Sequence, residues 1–110
     1  MKVAIIGSRA INIIDLNKYL PDGTSEIISG GAKGVDSCAK LYAKQIGIPY
    51  TEYLPQYEKY GRSAPLRRND KIIDAADMVL AFWDGKSRGT KYVIDKCNYF
   101  KKAINVIIIE

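Results

Sequence analysis

Three short apolar runs in this chain each end in glycine. Val3-Ala4-Ile5-Ile6 leads into Gly7-Ser8-Arg9, and Ile27-Ile28 leads into Ser29-Gly30-Gly31-Ala32-Lys33-Gly34. Met78-Val79-Leu80-Ala81-Phe82-Trp83 leads into Asp84-Gly85-Lys86-Ser87-Arg88-Gly89-Thr90. If these runs are parallel strands, all three loops lie on one edge of one sheet. Backbone N–H groups, small hydroxyls and cations then share that edge, which is the make-up of a phosphate-binding crevice.

The rest of the chain supports this arrangement. Short apolar runs alternate with helix-length segments, the pattern of βα units and an α/β fold with a five-stranded, mainly parallel sheet. The pattern predicts strands near 2–7, 25–29, 49–53, 78–83 and 104–109, and helices near 11–20, 34–46, 66–76 and 89–102. Val35, Cys38, Ala39, Tyr42, Ala43 and Ile46 form an i, i+3, i+4 stripe. Gly47 caps that helix and Pro49 prevents its continuation. The last helix places Val93, Cys97 and Phe100 on one side. The nearly continuous apolar run of Ile104 to Ile109 reads as a strand covered on both faces. Leu54 to Pro65 fits neither period. Lying after the third strand, it reads as a binding loop or lid on the glycine edge, or as a plain crossover.

At 110 residues the expectation is one domain over 1–110 with a single core. No apolar stretch approaches the ~20 residues of a membrane span. The start reads as a first strand rather than a signal peptide, so a cytoplasmic location is expected. Cys38 and Cys97 have no metal-type spacing and read as two buried reduced thiols, with no metal site expected. The chain has no histidine, which excludes Ser–His and Cys–His nucleophile pairs and His-containing zinc sites. The net charge of +5 suits a polyanionic ligand, although much of it is scattered over helix surfaces, as at Lys40, Lys44 and Lys96.

Each loop has its own chemistry. Gly7-Ser8-Arg9 offers a tight turn, a hydroxyl and a cation, but lacks the G-x-G-x-x-G dinucleotide fingerprint. In the second loop Ser29, Gly30, Gly31, Lys33 and Gly34 let amides converge on an anion at the mouth of a helix, without the Gly-Lys-Ser/Thr of a P-loop. Asp36 reads either as a first-turn carboxylate favoured by the helix dipole or as a ligand contact. In the third loop Gly85 marks a turn, Ser87, Arg88, Gly89 and Thr90 open a helix, and Asp84 suits a turn, a ribose hydroxyl or a phosphate-bound cation. Trp83 could stack on a base or simply fill the core. Arg68 and Asn69 begin a helix that could bring a guanidinium to phosphate, or be surface charge with Arg67.

Together, Gly7-Ser8-Arg9, Ser29 to Asp36, Tyr60-Gly61-Arg62, Arg68-Asn69, Ala76-Asp77 and Ala81 to Thr90 resemble the YspA-like branch of the SLOG superfamily. The resemblance spans nearly the whole chain. It implies a Rossmann-like three-layer α/β/α sandwich with strand order 3-2-1-4-5, binding a nucleotide or nucleotide derivative over the loops after strands one, two and four. It adds Tyr60 and Arg62 to the candidate ligand-binding residues. It also implies a sensing or processing role and makes a homodimer plausible.

The superfamily contains the Lonely Guy-type phosphoribohydrolases, which cleave a base from a nucleoside monophosphate using an Arg and a Glu. Arg68 stands where that Arg should. The Glu position departs: Lys91, Tyr92 and Val93 follow Gly89-Thr90, with no acid until Asp95. A nucleotide N-glycosidase would therefore need Asp36 or Asp84 as its acid beside Arg68. Single-strand nucleic-acid binding, as in the related DNA-processing protein A family, is a further alternative. No cofactor is firmly expected beyond a nucleotide-type ligand, with Mg2+ able to accompany its phosphates.

Overall fold

The computed structural model describes residues 1–11, 15–31 and 33–109. Five strands form one all-parallel sheet in the order β3-β2-β1-β4-β5. They are β1 (Lys2–Gly7), β2 (Glu26–Ser29), β3 (Tyr50–Glu52), β4 (Met78–Trp83) and β5 (Ala103–Ile108). Helix α1 (Val35–Ile46) joins β2 to β3, and α4 (Arg88–Tyr99) joins β4 to β5. Between β3 and β4 the chain makes a short helix α2 (Tyr57–Tyr60), a 3-10 turn at Gly61–Ser63, and α3 (Ala64–Ala75). The sheet, its strand order and the helices on its two faces make a Rossmann-like α/β sandwich.

The alternation of side chains along each strand divides the core in two. Val3 and Ile5 of β1 with Leu80 and Phe82 of β4 pack against Val35, Ala39 and Ala43 of α1. Ala4 and Ile6 with Val79 and Ala81 pack against Ile72 and Ile73 of α3 and Val93, Ile94 and Cys97 of α4. β1 and β4 are therefore covered on both faces, and Val3, Ala4, Ile5, Val79, Leu80, Ala81 and Phe82 have no solvent exposure. The expected stripe on α1 holds at its centre, while Ile46 at its end is exposed. Gly47 takes the left-handed cap conformation, its N–H donating to the Ala43 carbonyl.

Five expectations need correction. The first predicted helix, near 11–20, is reduced among the described residues to one 3-10 turn at Leu16–Lys18; residues 12–14 of that prediction lie outside them. The Asp15 carboxylate accepts the Asn17 N–H at 3.2 Å and fixes the turn's start there. The segment 54–65 is helical over much of its length rather than irregular. Strand β5 is an edge strand: its residues are exposed or half-buried, because among the described residues no further strand lies beyond it. Finally, Phe100 faces solvent beyond the last turn of α4, and Cys38 is only half-buried, although both cysteines are free thiols. Among the described residues no helix is long and apolar enough to cross a membrane.

Candidate functional site

The strand order itself positions a crevice. From β1 the chain moves to β2 and β3 on one side of the sheet, then crosses to β4 and β5 on the other. In open α/β sheets such a reversal separates the loops at the carboxyl ends of the two central strands. Here a cleft of about 460 Å³ opens at that point, between the β1 loop and the β4 loop. Its volume falls in the ~300–1,000 Å³ range of small-molecule sites. A groove of about 540 Å³ beside Asp70, Asp74, Lys96 and Lys102 is larger, but it is not lined by the loop after any strand or by the first turn of a helix.

The two central loops are tied together. The Ser8 N–H donates to the Phe82 carbonyl at 3.0 Å, and the Ser8 hydroxyl accepts the Asp84 N–H at 3.2 Å. Ser8 is fully buried by these contacts. Asp84 in turn organises its own loop, its Oδ1 accepting the N–H groups of Lys86 and Ser87 at 2.8 Å each. The Ser87 and Thr90 hydroxyls lie 3.3 Å apart across the first turn of α4. Gly89 and Thr90 of that turn line the cleft.

Opposite stands Arg68. Its Nη1 donates to the Gly30 carbonyl at 2.7 Å and more weakly to the Tyr53 carbonyl at 3.4 Å; its Nε donates to Asn69 Oδ1 at 2.8 Å. The guanidinium thus straddles the ends of β2 and β3 and is held half-buried at the cleft wall. A Cβ on Gly30 would come within 2.6 Å of Nη1 and 3.0 Å of Asp36 Oδ2, so a larger residue there would push the guanidinium end aside. Burial holds the Arg68 pKa below the ordinary guanidinium range, with the Asp36 charge opposing that shift. Asp36 itself is buried in the first turn of α1 and lines the same cleft.

Of the residues singled out by sequence, Gly7, Ser8, Arg9, Gly30, Asp36, Arg68, Asn69, Asp84, Ser87, Gly89 and Thr90 come together around the cleft. The others stand apart from its lining. Ser29 is buried, and Gly31 lies against Glu52 and Leu54. Lys33, Arg62, Gly85 and Arg88 are exposed. Gly34 is packed under the β1 loop. Lys59 and Arg67 lie over the Tyr60 ring, at 5.1 and 5.4 Å from its centre. The Trp83 indole packs against the α3–α4 core and donates its N–H to the Ser87 carbonyl at 3.0 Å, so it braces the β4 loop. An apolar wall of Pro65, Leu66 and Ile72 completes the cleft and was not foreseen. Leu66 alone among these carried a usable signal, as a large apolar side chain placed near a helix start.

Comparison with protein-family models, curated proteins and solved structures found no match. Among the described residues no three Asp, Glu or Cys side chains converge to hold a metal ion.

The Asp84 turn has a measurable consequence. Hydrogen bonds from the Ser87 and Lys86 amides lower its pKa below the ordinary 3.8. Its stabilising contribution is therefore complete above the ordinary value and lost as pH falls through the lowered one. Asp84→Ala should accordingly unfold with a shallower loss of stability between neutral and strongly acid pH than the parent. Urea midpoints followed from pH 7 down to pH 2 check this; parallel loss in both proteins would remove the turn's role.

Proposed function

We propose that this protein binds a nucleotide or nucleotide-derived small molecule in the β1–β4 cleft, as a sensing or processing domain. The observation that carries the proposal is the convergence on one volume of the β1 loop, the first turn of α4 and the Arg68 guanidinium. Phosphate would take the Gly89 and Thr90 end of the cleft with Arg9 and Arg68 nearby, where helix amides and cations favour an anion. Ribose hydroxyls would meet Asp36 or the outer oxygen of Asp84. A base would lie against Pro65 and Leu66, the apolar part of the wall, and Mg2+ would enter only on the phosphates.

A second reading, hydrolysis of the N-glycosidic bond, is favoured by the placement of Asp36 beside Arg68 at Gly30. Asp36 and Asp84 both line the cleft as candidate acids, and one Asp84 oxygen already accepts two amides. Water would add to the ribose carbon as the base departs with a proton, giving free base and ribose phosphate. Asp36 and Asp84 both line the cleft, and their charge disfavours tracking of a single-strand backbone through it.

Thermal-shift titration against AMP, ATP, GTP, NAD, ADP-ribose and cyclic dinucleotides, with base release followed in parallel, tests these readings. A ligand at 100 times its Kd should stabilise the fold by about 2.7 kcal/mol, several degrees for a domain this size. A shift without base release supports binding alone, and a shift with release supports the hydrolase. No shift with any of these compounds would overturn the proposal.

A further inference from the structure

The two edges of the sheet are built differently. Edge strand β3 is three residues long, follows Pro49 and ends in the exposed carboxylate of Glu52, all features that discourage pairing with another chain. Edge strand β5 has none of these protections. It runs for six residues, and from Ala103 to Ile109 the sequence carries neither a charge nor a proline.

Its free backbone groups can be assigned. The Ile109 N–H donates to the Trp83 carbonyl at 2.8 Å, and Trp83 is in register with Ile108. In a parallel ladder alternate residues turn both their N–H and C=O to the same neighbour. Residues 103, 105, 107 and 109 therefore face β4, and Ile104, Val106 and Ile108 present their backbone groups outward. Ile104 and Val106 pack their side chains against the α3–α4 core. Ile108 shares their sheet face and is 54% exposed. Phe100, 62% exposed just after α4, lies near the opposite end of the strand.

We propose that β5 pairs with β5 of a second copy of this chain, antiparallel about a two-fold axis at Val106. The register follows from the outward groups. Hydrogen-bonded antiparallel pairs form between residues that both face outward. Within Ala103–Ile108, only the arrangement with Val106 opposite Val106 and Ile104 opposite Ile108 satisfies all three. It sets β-branched side chains opposite one another, which is favourable, and brings no charged residue of either strand against a like charge. It also brings the exposed Ile108 of each copy toward the end of the other's sheet edge where Phe100 stands. A second copy is the fitting occupant because this edge is complementary to itself: the same uncharged strand supplies both sides of an isologous contact. The result is one continuous sheet across two molecules, with the candidate clefts outside the contact. This inference does not depend on the proposed function.

Sedimentation analysis of the whole chain over a concentration series tests it, together with hydrogen exchange of the individual amides. Dimers should form, with the Ile104, Val106 and Ile108 amides gaining protection as concentration rises. Val106→Pro removes an outward N–H without touching the β4 ladder, and Ile108→Lys places a charge on the exposed side chain. Each should raise the dimer Kd by about tenfold or more. A chain that stays monomeric, or dimers in which those three amides exchange freely, would overturn the proposal. So would folded variants that dimerise as tightly as the parent. If a variant fails to fold, the exchange of the parent amides decides the matter alone.

Discussion

Gly34→Ala is expected to destabilise the fold by roughly 2–5 kcal/mol, combining backbone strain with overpacking. Gly34 precedes α1 with φ 76° and ψ −121°, a conformation that side chains other than glycine's hydrogen rarely permit. A Cβ there would also stand 2.7 Å from the carbonyl oxygens of both Arg9 and Ile11. Those oxygens belong to the β1 loop, so the chain cannot relax without moving the cleft's own wall. The melting temperature should fall on the order of 10–20 °C. A calorimetric scan checks this, and a loss under about 1 kcal/mol would show that the β1 loop yields freely.

The second large effect concerns binding. Arg68→Ala should eliminate the thermal shift produced by whichever nucleotide stabilises the parent. It should also lower the stability of the unliganded protein by about 1–3 kcal/mol, since the Gly30 and Tyr53 carbonyls lose their charged donor. Arg68→Lys keeps the charge but not the planar fork, so it should recover part of the ligand shift. The neighbouring exposed Arg67→Ala should leave the shift intact. If Arg68→Ala binds ligand with unchanged affinity, Arg68 is only a tie between the ends of β2 and β3. That result would remove the guanidinium from the proposed site while leaving the cleft in place.

The strands were legible because each apolar run stops at a change in composition that the structure also uses. Val3 to Ile6 ends at Gly7, and Met78 to Trp83 ends at Asp84. The stripe of α1 was legible for the same reason: its period is local. What failed was information that depends on neighbours. An uncharged run such as Ile104 to Ile109 looks alike whether a strand lies beyond it or not. The apolar residues of 11–20 suggested a helix, whereas among the described residues there is one short turn, begun where the Asp15 carboxylate accepts the Asn17 N–H. Tyr57 to Ser63 carries little apolar periodicity, so its two short helical turns left no signal.

The site divides in the same way. Which loops meet follows from strand order, but the direction of Arg68 depends on carbonyls at Gly30 and Tyr53, distant in sequence. Trp83 shows the reverse case. Its position at a strand end suggested stacking on a base, yet its N–H is engaged with the Ser87 carbonyl and braces the β4 loop.

The central place of β1 has a kinetic meaning. The first strand made is flanked on one side by β2 and on the other by β4, whose pairing joins Val3 to Met78. Closing so long an intervening segment carries an entropic cost that local helix formation does not, so this contact order should make β1–β4 docking a late and slow event. The cleft lies on that seam and has no existence before it closes. A nascent chain that has not yet delivered β4 can therefore hold no ligand there, and ligand capture would report that β1 and β4 have docked.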